Sequence, residues 1–469
     1  MSRKHTAGQM KPRKILFIYA NPLSPEKKHL PYGLIWMSQN LHDCDVRIVD
    51  AFMEYPADPS AGVRKEIADH SPDLIGIGLR NIDSQTSIEL KKGNFSPPDG
   101  SFKTIYLMPE IEKLVSCVKA STDGRNIPVI VGGGGFQAAP AAVLKSLGLR
   151  YGITGPGEGS FNSFVGHCFN GGPMQEIAGL VEYLGDDSFR ETPRRYYPDG
   201  FCHFVHLDTI PENLKVNLEQ TTVGVKTRYG CPGRCSYCLD PRIEGSTVRY
   251  RDMDDIFRQL IEYTKDVRIN KIHFTDPEFN MPDLEFSTVI LKEIVRRGFD
   301  YRFAFSSQFV AAPMTRQFAG LLYKANLRDF GFTIDSVNDD VLRMNGRRCD
   351  ARTIRENIDI CIDNGIFLMI NFIVGMYGET RESIEEVIDF CRSYEKAPLQ
   401  FSFVFGLRIY EQTPLGRMID GNLGAFSPHV YGKRTFQWLE PCYFSAPRSP
   451  YENYLYFHEH LGSQKNVVM

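Results

Sequence analysis

No sign of charge dominates this chain. Across 469 residues, 54 Lys and Arg stand against 57 Asp and Glu, for a formal net charge of −3. Such a balance gives no electrostatic footprint for a nucleic acid or an anionic membrane. Long apolar runs are missing too, so no membrane span is expected. The start is basic (Arg3, Lys4, Lys11, Arg13, Lys14) but has no apolar stretch, so residues 1–13 read as a disordered N-terminus rather than a secretory signal. The eleven cysteines are scattered rather than framed as disulfide pairs, and free thiols point to a reducing cytoplasm. The apolar fraction of 42% and the length fit an ordinary globular protein of two or three domains.

Against these absences stands one concentrated stretch, Cys231-Pro-Gly-Arg-Cys235-Ser-Tyr237-Cys238, on a Gly/Pro loop after the β-branched run 221–225. Thiolates at this spacing hold iron–sulfur clusters, and three ligands leave one iron of a four-iron cluster open to a small molecule. A zinc loop would need a fourth Cys or His close by, and none lies between Cys238 and His273. An oxygen-sensitive cluster again favours the cytoplasm.

Strand and helix patterns alternate on both sides of this loop. Short apolar runs at 14–20, 45–49, 72–78 and 128–131, with a helical pattern over 108–120, predict a doubly wound, Rossmann-like α/β domain over residues 14–180. Its strand ends carry Arg80-Asn81, the run Gly132-Gly133-Gly134-Gly135, and Gly157-Glu158. Ligands of such sheets bind at these ends, and a glycine run strips side chains from a surface that a large ligand could lie against. Residues 85–104 form a long polar insertion on the same edge. Residues 181–217 read as a linker. Over residues 218–415, strands at 221–225, 271–275, 301–305, 329–334, 367–374 and 400–405 predict a partial (β/α)6 TIM-type barrel with its chemistry at the strand C-termini. Residues 416–469 form a C-terminal extension, in which Cys442 is a candidate catalytic thiol.

The cysteine loop, with an aromatic just before its third cysteine, resembles that of the radical S-adenosylmethionine (SAM) family. The resemblance implies a [4Fe–4S] cluster on Cys231, Cys235 and Cys238, whose open iron takes the amino and carboxylate groups of SAM. By the same likeness, Asp276 or Glu278 meets the methionyl ammonium, and Ser307, Gln308 and Asp335 the ribose or carboxylate. Gly375 passes the adenine, Tyr237 touches it, and Arg408 pairs with the carboxylate. The first domain is similar to the cobalamin-binding domain of one branch of that family, through Pro31-Tyr32-Gly33-Leu34, the Gly132 to Gly135 run and Gly155-Pro-Gly157-Glu158. It lacks Asp-x-His-x-x-Gly, the motif that supplies a histidine to cobalt. Residues 79–83 resemble a segment of tryptophan-methylating members that approaches the lower face of the cobalamin. Arg80, beside Asn81, is therefore a candidate neighbour of that face; its alternative is a salt bridge with Asp83.

The branch implies C-methylation of a small secondary-metabolite or lipid-type substrate, by radical or polar transfer, with a flavodoxin- or ferredoxin-type electron donor. Alternatives are a cyclisation, rearrangement or oxidation with the same cofactors, a methylthiotransferase, or a non-catalytic sensor.

Overall fold

The structure is a computed structural model that describes residues 12–25, 30–87, 104–196, 204–215, 218–219 and 221–468. Most of the expected insertion at 85–104, and nearly all of the basic start, lie outside the described residues. No helix among the described residues is long and apolar enough to cross a membrane.

Strands β1 (Arg13–Tyr19), β2 (Cys44–Asp50), β3 (Leu74–Gly78), β4 (Val129–Gly132), β5 (Tyr151–Ile153), β6 (Leu180–Gly185) and β7 (Ser188–Glu191) form one sheet in the order β2-β1-β3-β4-β5-β6-β7. The first five run parallel. Both faces are covered, which is why β1 is apolar from Ile15 onward: Ile15, Phe17 and Tyr19 enter one core, and Leu16, Ile18 and the following Ala20 the other. Helices Pro59–His70 and Met108–Thr122 cover one face, and Tyr32–Gln39 and Gly157–Asn170 the other. The chain leaves β1 toward β2 and returns on its opposite side to β3, so the switch point lies between the ends of β1 and β3. Residues 181–191, expected as linker, instead add the antiparallel β6 and β7 to this sheet.

The second half opens with β8 (Val223–Val225) and a small hairpin of β9 (Arg228–Tyr229) with β10 (Arg249–Tyr250). Six βα repeats follow the expected order, as two parallel sheets rather than one. Strand β8 pairs with β11 (Lys271–Phe274), and β11 with β12 (Ala304–Ser306). β13 (Gln308–Val310), β14 (Asp329–Asp335), β15 (Phe367–Val374) and β16 (Leu399–Phe405) form the second sheet. The third strand therefore starts later than 301, where a 3₁₀ turn (Phe299–Tyr301) stands, and it breaks at Ser307. The break has a local cause. Ser307 Oγ donates to Phe274 O at 3.1 Å, and beyond it the 279–280 segment takes the place of a neighbouring strand. Phe279 N donates to Gln308 O, while Asn280 bonds both the N–H and the C=O of Val310.

In the C-terminal extension, β18 (Val430–Gly432) and β19 (Cys442–Phe444) form a small antiparallel sheet with β17 (Leu407–Arg408). Helix Pro450–Leu461 packs Tyr454 and Phe457 on Phe403 and Phe405, and β20 (Val467–Val468) extends the second sheet beside β16.

The two halves share buried polar contacts. Gly224 N of β8 donates to Tyr32 Oη at 2.6 Å, and Tyr263 Oη to Gly224 O at 2.9 Å. Tyr32→Phe would leave a buried N–H of a short strand without its acceptor, so a loss of about 1–3 kcal/mol is expected in denaturant unfolding. Unchanged stability would mean that the two halves dock without this contact. Asp83 pairs with Arg408 at 2.9 Å, not with Arg80.

Candidate functional site

The cysteine loop leaves β9 and is held from three sides by groups that are not cysteines. At its start, the Asp276 carboxylate accepts from Thr227 N at 2.7 Å, Arg228 N at 3.1 Å and the Thr227 hydroxyl. Further on, Ser236 N and Oγ donate to Asn345 O and Oδ1, both at 2.9 Å. Gly346, at φ +74°, lies so close that a Cβ there would stand 2.1 Å from Arg234 O. Leu415 N closes the third side on Ser236 O.

The three cysteines are half-buried on one short loop. A Cβ on Gly233 would stand 3.2 Å from Cys231 Sγ and 3.8 Å from Cys235 Sγ, while Cys238 Sγ accepts from Asp240 N at 3.4 Å. Burial pushes the free Cys231 thiol up to about 12 and holds Cys238 well above the usual thiol range. Only a bound cation would hold these groups as thiolates. Among the described residues, only His206, Asp208 and Glu262 form a group whose ligand atoms all lie within 4.8 Å of one another, so the three sulfurs stand wider. Thiolates sharing one tetrahedral zinc at ~2.3 Å would sit closer than that. The donor set of three thiols fits a multi-iron cluster. Glu262 of the other group is already engaged with Leu207 N and Lys265.

Beside the sulfurs runs a buried polar chain. Tyr237 Oη donates to Asp335 Oδ2 at 2.6 Å, Arg347 Nε stands 3.1 Å from the same oxygen, and Arg347 Nη1 donates to Cys235 Sγ at 3.4 Å. Asp335 holds φ +65° next to a β-bulge, backbone strain of the kind that persists where surroundings over-determine it. Glu278 Oε2 is buried without a partner, and desolvation pushes its carboxyl up to about 8.

These placements separate the expected SAM contacts. Tyr237, Glu278 and Asp335 gather around the cysteine loop. Asp276 does not offer a free carboxylate, because it is spent on Thr227 and Arg228 and positions the loop. Arg408 is not free for a carboxylate either: it bonds Asp83 and the carbonyls of Ile409, Trp438 and Leu439. Ser307 serves the strand break, whereas Gln308 is exposed and lies over Gly331 of β14. Gly375, at φ +93°, is required by Ser445, whose Oγ would lie 2.3 Å from a Cβ. Cys442 is fully buried in an apolar cluster, and burial pushes its thiol up to about 11, so it acts as a small core side chain rather than a nucleophile. Arg347 escaped the sequence reading because nothing in the loop 345–350 marks it out by spacing.

Glu379 folds back to accept from Gly375 N and Met376 N, while Thr380 caps the next helix. Burial raises its carboxyl from 4.5 to about 8. The folded protein then keeps a proton that the unfolded chain has released. Stability should fall as pH rises from 4.5 to about 8, by up to about 1.4 kcal/mol per unit, and level off above. Glu379→Gln should flatten that slope in denaturant melts at pH 5, 7 and 8.5; an identical slope would show that Glu379 is ionised throughout.

The first domain contributes a slot of about 270 Å³ at its switch point, between the sheet and helices Tyr32–Gln39 and Gly157–Asn170. Tyr19, Gly33, Gly78, Arg80, Gly132 and Glu158 are among its walls. Gly33 faces open space, so its missing side chain keeps the slot clear. The Gly132 to Gly135 run has a second reason beside the one expected. A Cβ on Gly133 would lie 2.4 Å from Leu79 O, and one on Gly135 2.9 Å from the Asn81 carbonyl carbon. Close approach of the 79–81 backbone therefore requires Gly133 and Gly135, and Gly132, Gly133 and Gly134 line the slot. Arg80 is exposed at the mouth and bonds Tyr19. Slot and cysteine loop adjoin: Leu239, next to Cys238, packs on the first domain's core, and Glu158 lies within electrostatic reach of Tyr229.

The family model of the Radical SAM superfamily matches residues 225–391. A curated relative, tryptophan 2-C-methyltransferase of Streptomyces laurentii, is 23% identical over 438 residues, covering 80% of this chain and 68% of the relative. Among solved structures, the radical SAM methyltransferase TsrM from Kitasatospora setae, bound to tryptophan and a SAM analogue, superposes with a TM-score of 0.80 at 21% identity, covering 97% of this chain and 91% of that one. The cobalamin-dependent SAM radical enzyme OxsB, with aqua-cobalamin and SAM bound, gives 0.69 at 13% identity over 92% of this chain and 64% of that one. Residues 225–391 thus match the Radical SAM superfamily model, and the chain as a whole shares the fold of TsrM and OxsB.

Proposed function

We propose that this protein is a cobalamin-dependent radical SAM enzyme that methylates a carbon of a small molecule. The observation that carries the reading is that the glycine-lined slot and the three-cysteine loop stand close together, with Leu239 packed on the first domain's core and Glu158 of the slot within electrostatic reach of Tyr229. Cys231, Cys235 and Cys238 would hold a [4Fe–4S] cluster. The slot at Gly33, Gly78 and Gly132, of about 270 Å³, would hold part of cobalamin, with Arg80 among its walls. Bound together, these groups supply one-electron chemistry at SAM and a transferable methyl group.

The chain's own residues do the positioning. Asp276 and Asn345 fix the sulfurs, and Glu278 is the acidic group left to meet the methionyl ammonium in a charge-assisted contact. Tyr237 and Asp335 form the wall where the rest of SAM would lie, with Gln308 on the concave side. Arg80 places a cation at the slot mouth that would disfavour more positive states of a metal there. The contacts of the first domain with β8, through Tyr32, and with β16, through Ser87, would hold the two groups in fixed relation, which favours transfer between them. A flavodoxin- or ferredoxin-class protein would be the electron source, and a cytoplasmic setting suits both.

The test is anaerobic incubation of the reconstituted protein with SAM carrying a CD₃ methyl group and a panel of small molecules that includes tryptophan. A product bearing an intact CD₃, formed only when cobalamin is present, is the expected result. A protein that binds its cluster but takes up no cobalt would overturn the methyltransferase reading.

A further inference from the structure

Arg347 reaches the cysteine loop from the loop between helices Asp339–Met344 and Ala351–Asp363. Its side chain is 5% exposed. Nη2 donates to Thr333 O at 2.6 Å, Nη1 to Cys235 Sγ at 3.4 Å, and Nε stands beside Asp335. Two hydrogen bonds and an ion pair hold the planar guanidinium against Cys235. The close approach of Gly346 to Arg234 brings it within reach of the sulfur. Hydrogen bonds to the sulfurs, and local charge, are among the levers that set a cluster's potential.

We propose that Arg347 raises the reduction potential of the cluster held by Cys231, Cys235 and Cys238, through its charge-assisted N–H···S bond to Cys235. The proposal rests on the cluster reading above. Reduction of [4Fe–4S]²⁺ to [4Fe–4S]⁺ takes one electron from a flavodoxin- or ferredoxin-class donor, which is oxidised by one electron. The product is one charge more negative, so a fixed N–H donor and cation at a ligand sulfur stabilise it more than the reactant. Asp335 offsets part of the charge but stands on the far side of the guanidinium from the sulfur it bonds, so the N–H at Cys235 acts at the shortest range. Arg347 is thus a positioning and tuning residue, not a catalytic one.

The experiment compares the unaltered protein with Arg347→Gln and with Arg348→Gln, whose side chain is exposed on the same loop. Iron is counted, and the reduced cluster is followed by electron paramagnetic resonance through a redox titration with dithionite. Expected for Arg347→Gln is unchanged iron and a reduced-to-oxidised ratio at least tenfold lower at fixed potential, which is ~59 mV for a one-electron couple. Arg348→Gln should move the midpoint by less than half as much. An unmoved midpoint in Arg347→Gln with full iron overturns the proposal. Should that variant lose its iron, the unaltered protein labelled with [¹⁵N]arginine decides. A ¹⁵N hyperfine coupling on the reduced cluster supports the N–H···S bond, and its absence overturns it. No iron in the unaltered protein would overturn the cluster reading itself.

Discussion

Replacing Cys231, Cys235 and Cys238 together by alanine is expected to abolish iron binding, from about four irons per reconstituted chain to none. Cobalt uptake and the fold should survive. The physical reason is that the loop does not depend on its sulfurs for shape. Asp276 holds Thr227 and Arg228, Asn345 holds Ser236, and Leu415 N closes on Ser236 O. The slot is built from other elements altogether, with Gly33, Arg80 and Gly132 in its walls. Iron and cobalt analysis, with a circular dichroism melt, reads all three outcomes. Retention of iron by the triple variant would sink the assignment of these thiols. Loss of cobalt along with iron would show that the slot is not an independent site.

The second large effect is expected at the seam between the halves. Asp83 and Arg408 are a buried pair, with side chains 0% and 4% exposed. Asp83→Ala should cost about 3–5 kcal/mol, because it leaves the guanidinium buried without a counter-charge. The carbonyls of Ile409, Trp438 and Leu439 would still accept from Arg408 but cannot neutralise it. Replacing both partners, Asp83→Leu with Arg408→Met, should recover most of that loss, since two apolar side chains bring no buried charge. Denaturant midpoints of the single and double variants decide. A double variant as unstable as Asp83→Ala would mean that the pair is needed for its geometry, not for its charge balance.

The parts that were legible in the sequence are those written in local pattern. The Cys231, Cys235 and Cys238 spacing and the alternation of strands and helices both depend on neighbours in the chain. The errors have long-range causes. Asp276 looked free because the two backbone N–H groups that claim it lie 48 and 49 residues earlier. Arg408 looked like a ligand-binding cation, and its counter-charge lies 325 residues away. The third strand of the second half reads only as far as 305 because Asn280, which supports its resumption at Gln308–Val310, is 30 residues distant from Val310.

By itself the sequence determined the donor set and the succession of elements, because ligand spacing and apolar periodicity are properties of a few consecutive residues. Only the tertiary structure decided which polar groups remain available at the site. A buried carboxylate or guanidinium must be satisfied by whatever the fold brings to it. That requirement is met across dozens to hundreds of residues, as when Arg347 is carried 112 positions along the chain to the sulfur of Cys235.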